Sequence, residues 1–362
     1  MKKNKFELYT PDGWLNVEGI AQIPSIWLIV IVGARQVGKT YGILKHVMTH
    51  SEAHTLYLRR TIDELDMVST YRDLNPFLPL AGEGIEADIQ KLTKKVFHFG
   101  LSRTVEVENK NGDIEKKSEI YDERGLGLAL NTIAQMRGFN GSQFTDVFFD
   151  EFIPEKLVVK RKGEGDALLN AYTTINGNRE LKGKPPLKMW LAANAFDISS
   201  PILASLNLTN AVVEMSRAGE EYRIIEGGVF LCIPRSQAII QKRQQTAMLS
   251  YLSGKTGASE FYDTAVNNSF AYDSLDLIRP KPLSGYRPYC IFNDMYVWAN
   301  DTSFYVCRSK HNKRMKYGST SEEKIRAQMD FARMKERYFK GMITFSDAET
   351  LLQFRSYFKI ML

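Results

Sequence analysis

The stretch that decides the fold is Ile26-Trp27-Leu28-Ile29-Val30-Ile31-Val32, followed at once by Gly33-Ala34-Arg35-Gln36-Val37-Gly38-Lys39-Thr40. A continuous apolar run rich in β-branched residues is typical of a strand buried on both faces of a parallel sheet. The residues after Thr40 place apolar side chains at helical spacing, at Tyr41, Leu44, Val47 and Met48. A buried strand, a glycine-rich turn and a helix in this order predict a nucleotide-binding α/β domain.

The turn matches the phosphate-loop pattern G-x-x-x-x-G-K-[ST] in full. Glycines allow successive backbone N–H groups to converge on an anion, and the helix behind them adds its positive N-terminal end. The residues predicted to bind ATP are Gly33, Ala34, Arg35, Gln36, Val37, Gly38, Lys39 and Thr40. Among them, Lys39 is expected at the β- and γ-phosphates, Thr40 at a Mg²⁺ ion, and Arg35 is a candidate for the γ-phosphate.

A second apolar run, Val147-Phe148-Phe149, ends in Asp150-Glu151. A carboxylate at the end of such a strand is placed to hold the Mg²⁺ shell, which is the role predicted for Asp150. Glu151 is predicted to be the general base that polarises the attacking water. A water-activating glutamate favours ATP hydrolysis over phosphate transfer to a small molecule.

Three further residues are candidates for catalysis. Asn194 follows the apolar run Leu187 to Ala193, so it is expected beside the γ-phosphate, since parallel strands deliver their carboxyl ends to one crevice. Arg179 lies in a glycine-containing turn, where a rigid cation could project outward towards the nucleotide of a neighbouring subunit. Arg137 lies in the glycine-rich loop before the Asp-Glu strand. For Arg35, Arg137 and Arg179 the alternative is a solvated or salt-bridged surface position, and for Asn194 it is a helix cap or turn residue.

Along the chain, strand patterns alternate with helical ones, which indicates an α/β sheet with helices on both faces. Hairpins are predicted around 109–113 and within Tyr222 to Cys232, and a polar helix over Ser236 to Tyr251. The tail has short strands and then helices near 321–338 and 345–359, a smaller α+β unit. We therefore expect an ATPase domain at 1–200, a connecting subdomain at 201–258 that ends in a Gly/Ser-containing linker, and a C-terminal domain at 259–362.

Composition excludes several classes. The 362 residues are 44% hydrophobic and 25% charged, as in ordinary globular proteins. No apolar run reaches the roughly 18 residues of a membrane span, and no signal-peptide pattern follows the basic N-terminus, so we expect no membrane partner. Three scattered cysteines fit neither a disulfide framework nor a zinc site, and instead favour reduced thiols in a cytosolic compartment.

The net charge of +6 lies entirely in residues 201–362, because the 26 basic residues of 1–200 are balanced by 26 acidic ones. The densest basic run covers 308–316, and its cations are candidates for contacts to DNA phosphates. They are Arg308, Lys310, Lys313, Arg314 and Lys316. Weaker candidates are 241–243 and 160–162, and for all three runs the alternative is a solvated face. Asp273, Asp276, Asp294 and Asp301 are too sparse for a nuclease site, so the C-terminal domain is expected to bind DNA without cutting it.

Several stretches together resemble the DNA-packaging ATPases of small tailed phages of the φ29 group, distant relatives of the large terminase subunits. The matching stretches are 32–35 with 38–40, Tyr57-Leu58-Arg59-Arg60, 148–153, 168–170, 178–180, 193–195, 338–341 and 351–361. The resemblance implies a RecA-like ATPase domain followed by a ribonuclease-H-like domain. It also implies Arg179 as an arginine finger acting in trans and Arg137 as a second cation reaching a neighbour's nucleotide. Where that group has Arg-Asn-Arg-Glu, this chain has Gly177-Asn178-Arg179-Glu180, which favours Arg179.

The function implied is a motor that couples ATP hydrolysis to translocation of double-stranded DNA into a preformed procapsid. By resemblance it is a homo-oligomeric ring, a pentamer, docked on the portal in the host cytoplasm, with an RNA adaptor as a further partner. Three other classes remain open: another P-loop DNA translocase or helicase, a small-molecule kinase, and a nucleotide-switched assembly factor without motor activity.

Overall fold

The computed structural model describes residues 6–33, 36–108, 113–133, 141–154, 163–194, 200–253, 275–313, 315–332 and 334–360. The chain divides into two compact units, Met1–Asp197 with Ala218–Phe270, and Ile198–Arg217 with Ala271–Leu362. The units therefore interleave along the chain, whereas the sequence predicted consecutive segments with boundaries at 200 and 258. The expected linker at 254–259 lies outside the described residues.

The strands are β1 Leu28–Gly33, β2 Thr55–Arg59, β3 Ala87–Lys91, β4 Val96–Glu108, β5 Ile114–Ala129, β6 Asp146–Asp150, β7 Lys188–Asn194, β8 Tyr222–Ile225, β9 Val229–Cys232, β10 Arg287–Phe292, β11 Met295–Ala299, β12 Phe304–Cys307, β13 Lys316–Tyr317 and β14 Ile343–Phe345. The α-helices are α1 Val17–Ala21, α2 Lys39–Thr49, α3 Ile62–Thr70, α4 Leu130–Ile133, α5 Glu164–Asn176, α6 Pro201–Ser205, α7 Thr209–Ala218, α8 Gln237–Gln244, α9 Ala247–Leu252, α10 Ser321–Asp330, α11 Met334–Phe339 and α12 Ala348–Phe358. Short 3-10 helices cover Arg72–Leu74, Leu78–Glu83, Glu180–Lys182 and Leu275–Leu277.

A nine-stranded sheet in the order β3-β4-β5-β2-β6-β7-β1-β9-β8 forms the first unit. The strands from β5 to β9 in this order are parallel, and β3, β4 and β8 pair antiparallel at the two edges. Every residue of β1 and of β6 is buried, which accounts for the apolar run 28–32 in β1 and for Val147-Phe148-Phe149 in β6. The predicted α/β fold with a buried central sheet is confirmed.

Aromatic side chains fill one part of the core of this unit. The ring of Tyr57 lies 5.5 Å from that of Phe148 and 6.2 Å from that of Phe99, which stacks on Phe77 at 5.3 Å. Trp190 on β7 is fully buried, and its indole N–H donates to the Asp146 carboxylate over 3.0 Å. These large side chains bury extensive apolar surface against the central strands.

The two predicted hairpins are present, but the second belongs to a different part of the fold from the one expected. β4 and β5 pair antiparallel on either side of 109–112, with Glu108 opposite Ile114. β8 and β9 also pair antiparallel, and β9 then adds parallel to β1, so the segment belongs to the large sheet and not to a connecting subdomain. The polar helix predicted over 236–251 is broken into α8 and α9.

The second unit is built on a five-stranded mixed sheet in the order β13-β10-β11-β12-β14. The meander β10-β11-β12 is antiparallel, and β13 and β14 add parallel at its two edges. A capping box at Thr320 and Glu323 starts α10, and the helix predicted over 321–338 is split into α10 and α11. The smaller α+β unit expected near the C-terminus is confirmed. None of the described helices is long and apolar enough to cross a membrane.

Candidate nucleotide site

The glycine-rich turn connects the end of β1 to the start of α2. Gly38 immediately precedes α2 with φ of +87°, a left-handed conformation that glycine adopts without strain. Gln36 also has a positive φ, +61°, which marks the tight curvature of the turn. Ala34 and Arg35 lie outside the described residues. The described part of the turn has the strand–turn–helix context that a phosphate-binding loop requires.

Lys39 lies at the centre of the site and is buried. Its Nζ donates to the Gly33 carbonyl and to Asn194 Oδ1, over 3.1 Å each. The Asn194 amide in turn donates to both carboxylate oxygens of Glu151, over 2.9 and 3.2 Å. Lys39, Glu151 and Asn194, which are far apart in the sequence, therefore form one connected network.

Thr40 and Asp150, the two residues predicted to bind Mg²⁺, are in direct contact. The Thr40 hydroxyl donates to Asp150 Oδ1 over 2.9 Å, although the two residues are 110 positions apart. A hydroxyl and a carboxylate held together are the hard oxygen donors that Mg²⁺ prefers. The residues present therefore fit a bound Mg²⁺ ion.

Asp150 also has two partners that sequence reasoning did not assign. Arg59 Nη1 donates to Asp150 Oδ2 over 2.7 Å, and the Tyr57 hydroxyl donates to the same oxygen over 3.3 Å. Burial by itself lowers the pKa of Arg59, but its neighbours Tyr57, Asp150 and Glu64 outweigh burial and hold that pKa above its usual value. Burial raises the pKa of the Tyr57 phenol, so it remains a donor. The available signal was that β2 also ends at this edge of the parallel sheet.

Glu151 follows β6 directly and adopts a left-handed backbone conformation, with φ of +54°. A glutamate in that region costs about 1 kcal/mol or more of strain, and such strain is concentrated at functional sites. Its side chain is half-buried and faces a cleft of about 300 Å³. That cleft is lined by Gln36, Gly38, Lys39, Thr40, Tyr41, Glu151 and Asn194. The predicted general base and the phosphate loop therefore share one cavity.

A buried ion pair stabilises the turn after Glu151. Both oxygens of Glu164, the first residue of α5, accept from Arg60, whose Nη1 also donates to the Phe152 carbonyl over 2.8 Å. The two side chains are 7% and 9% exposed. Because Phe152 is the residue after Glu151, this pair fixes the backbone that carries the candidate base.

Arg179 does not project outward as its turn suggested. Its guanidinium donates to the Phe144 carbonyl over 2.8 Å and to the Pro185 carbonyl over 3.2 Å, because the turn after α5 packs against the segment before β6. Arg137, the second predicted trans-acting cation, lies outside the described residues. The geometry of the single chain therefore assigns Arg179 a local structural contact.

The basic run 308–316 follows β12 directly and ends at Lys316, the first residue of β13. Within it, Arg314 lies outside the described residues. Lys310, Lys313 and Lys316 are exposed, while Arg308 pairs with Glu349 over 3.2 Å. Of the weaker candidate runs, 160–162 lies outside the described residues. In the other, Arg243 on α8 is buried within the first unit, so it is not available to DNA, contrary to the prediction.

Comparisons with known proteins agree with this architecture. No family model matches the chain, and no curated protein matches its sequence. The solved structure of the Phi-28 gp11 DNA packaging motor covers 99% of this chain and 100% of its own, with a TM-score of 0.59 and 15% identity. The bacteriophage Phi-29 viral genome packaging motor assembly covers 97% of this chain and 98% of its own, with a TM-score of 0.60 and 16% identity. The chain shares the fold of these packaging motors along nearly its whole length, the large parallel α/β sheet of the first unit and the smaller α+β second unit included.

Proposed function

We propose that this protein is a Mg²⁺-dependent ATP hydrolase that drives double-stranded viral DNA into a procapsid. The observation that carries the proposal is the convergence of Lys39, Thr40, Asp150, Glu151 and Asn194 at one cleft. A phosphate loop alone serves kinases and switches as well. A carboxylate poised beside it, in a chain whose fold is shared along nearly its whole length with two packaging motors, favours a hydrolysing motor.

In the proposed reaction the described residues have separate roles. The backbone of the turn and Lys39 bind the β- and γ-phosphates, and Thr40 with Asp150 holds the Mg²⁺ ion, which neutralises phosphate charge. Glu151 accepts the proton of the attacking water. Both Glu151 oxygens accept from Asn194, so one of these bonds gives way when the carboxylate takes a water. Asn194 therefore positions the base.

We propose further that the motor is a ring, as the two structural neighbours are motor assemblies. In that ring Arg179 and Arg137 act on the nucleotide of the next subunit, and the ring docks on the portal. Arg179 has to exchange its carbonyl contacts for phosphate oxygens, so its contribution appears only in the assembled state. A matched pair of variants, Arg179→Ala and Arg179→Lys, tests this role. ATP hydrolysis that falls to the same level in both, with binding of ATP to the isolated chain intact, supports a bidentate cation acting in trans. Unchanged hydrolysis by the assembled ring contradicts it.

DNA contact is assigned to the exposed lysines Lys310, Lys313 and Lys316 of the second unit. A motor must grip any sequence, and mobile cations that neutralise phosphates do so without reading bases. Among the described residues, no group of three carboxylate, imidazole or thiol side chains in this unit is close enough to share a metal ion. We propose that the unit holds DNA without cutting it. Incubation of the protein with plasmid DNA and Mg²⁺ or Mn²⁺ tests the absence of cutting, and the plasmid should stay intact.

The experiment that tests the function is an ATPase assay of the purified chain with and without linear duplex DNA. The proposal expects Mg²⁺-dependent phosphate release, stimulated by DNA of any sequence and lost at high salt. Phosphate transfer to an acceptor instead of water would indicate a kinase, and tight ATP binding with negligible turnover would indicate an assembly factor. A DNA-stimulated ATPase that fails to bind procapsids bearing a portal would indicate another DNA translocase. Each of these three results contradicts the proposal.

A further inference from the structure

Three metal-binding side chains meet at a place outside the nucleotide site. Glu18 is on α1, His46 is in the last turn of α2, and His50 is the residue that ends α2. One ligand atom from each lies within 4.8 Å of the other two. Within the described ranges this is the only group of three carboxylate, imidazole or thiol side chains that meets this distance.

The spacing of the ligand atoms fits a single ion. His46 Nδ1 lies 2.9 Å from Glu18 Oε1, and His50 Nε2 lies 3.7 Å from Glu18 Oε2. Tetrahedral Zn²⁺ bound at about 2.0–2.1 Å holds its ligand atoms roughly 3.3 Å apart. The two distances run to different Glu18 oxygens, and the three ligand atoms lie within 4.8 Å of one another, so movement of the exposed Glu18 and His50 side chains can bring them to that spacing.

The orientation of the His50 ring is set by a contact that metal-binding histidines commonly make. Its Nδ1 lies 2.8 Å from the His46 backbone carbonyl, which can only accept a hydrogen bond. Nδ1 therefore carries a proton, which leaves Nε2, the nitrogen on the side of Glu18, as the one that can bind a metal ion. On the other side, the His46 ring packs against Trp190, with ring centroids 5.8 Å apart, which fixes its orientation.

Charge and access also favour a cation here. The backbone carbonyls at the C-terminal end of α2 carry the negative end of the helix dipole, and Glu18 adds a formal negative charge. The side chains of Glu18 and His50 are 45% and 48% exposed, so an ion reaches them from solvent, while that of His46 is 12% exposed. An ion can therefore reach the site from solvent, and His46 is the one ligand held in place by the surrounding protein.

We propose that Glu18, His46 and His50 bind one divalent transition-metal ion of the Zn²⁺ class and thereby clamp α1 to the C-terminal end of α2. Two imidazoles with one carboxylate suit Zn²⁺, Ni²⁺ or Cu²⁺, whereas Mg²⁺ requires oxygen ligands. The site is separate from the Mg²⁺ position, because Thr40 precedes His46 by about 9 Å along the same helix. The clamp would stabilise the helix that carries the phosphate loop, and it does not depend on ATP hydrolysis.

The test uses the full chain, purified without a histidine tag and stripped of metal with a chelator. Thermal unfolding is recorded with ZnCl₂ or MgCl₂, and binding of CoCl₂ is followed by visible absorption. Zn²⁺ should bind in a one-to-one ratio and raise the Tm by roughly 5 °C or more at a free concentration about 100 times the Kd. Equal Mg²⁺ should give no such rise. The Co²⁺ spectrum should lack thiolate bands, because the three cysteines are buried.

The variants His50→Ala and Glu18→Gln should each weaken Zn²⁺ binding by at least about tenfold. His98→Ala is the matched control, because His98 forms a similar pair with Glu123 over 3.3 Å in the same unit. It should bind Zn²⁺ as the wild type does. Glu18→Gln keeps the size of its side chain, so it remains informative if His50→Ala does not fold. A wild-type Tm that Zn²⁺ does not change, or equal loss of binding in His98→Ala, overturns the proposal.

Discussion

Replacing Glu164 with Gln should destabilise the first unit strongly. The variant leaves the Arg60 guanidinium charged, 7% exposed and without its counterion, while its contact with the Phe152 carbonyl remains. Removing one partner of a buried ion pair costs about 3–5 kcal/mol. For a unit of this size that corresponds to a fall in Tm of roughly 6–20 °C. Differential scanning calorimetry of Glu164→Gln and the wild type measures this fall in Tm.

Two further variants separate the buried charge from a general loss of packing. Arg60→Met/Glu164→Leu removes both charges and keeps most of the volume, so it should be less destabilised than Glu164→Gln. Glu119→Gln breaks the exposed pair with Arg103 and should cost about 1 kcal/mol or less. The reasoning is refuted if the Tm of Glu164→Gln equals that of the wild type, or if Arg60→Met/Glu164→Leu is as unstable as Glu164→Gln.

Three other predictions concern backbone packing, pH and DNA. Gly125→Ala should prevent folding or lower the Tm severely, because a Cβ there would lie 1.8 Å from a backbone oxygen of β2. Gly127→Ala should fold, because the nearest atom to its added Cβ would be 3.2 Å away. Measurements of soluble yield and Tm compare the two variants directly. Burial lowers the pKa of His54 below 6.5, so the unfolded chain binds that proton more readily and stability should fall as pH drops below about 6.5. Calorimetry from pH 8 to pH 5 should show a shallower loss in His54→Gln, and parallel curves would count against this. Lys310→Ala/Lys313→Ala should weaken DNA binding for all sequences and reduce the slope of log K against log salt by about 1–2, as measured by fluorescence anisotropy; an unchanged slope excludes phosphate contact by these lysines.

The parts of the site that sequence predicted are those encoded by local pattern. β1, the phosphate loop and α2 are consecutive in the chain. Their apolar runs predict which positions are buried, and the glycines predict the tight turn between strand and helix. The ends of β6 and β7 were visible as apolar runs that stop at a polar residue. Because parallel strands end at one edge of a sheet, the sequence alone places Asp150, Glu151 and Asn194 together.

The parts that sequence missed depend on contacts between distant residues. The pairing of Arg59 with Asp150 joins positions 91 residues apart, and nothing in the local pattern separates it from a surface arginine. The return of β9 to β1 depends on which sheet edge is open, so the hairpin was assigned to the wrong part of the chain. The orientation of Arg179 is set by backbone carbonyls of other segments, which no spacing rule reports.

The measurement that tests the central claim most directly compares ATP binding and hydrolysis in the wild type and in Glu151→Gln, both with Mg²⁺. The account predicts that both proteins bind ATP with similar affinity. It also predicts that turnover falls by at least about 100-fold in the variant, because the base that takes the proton of water has been removed. Full turnover in Glu151→Gln, or a wild-type chain that neither binds nor hydrolyses ATP, would contradict it.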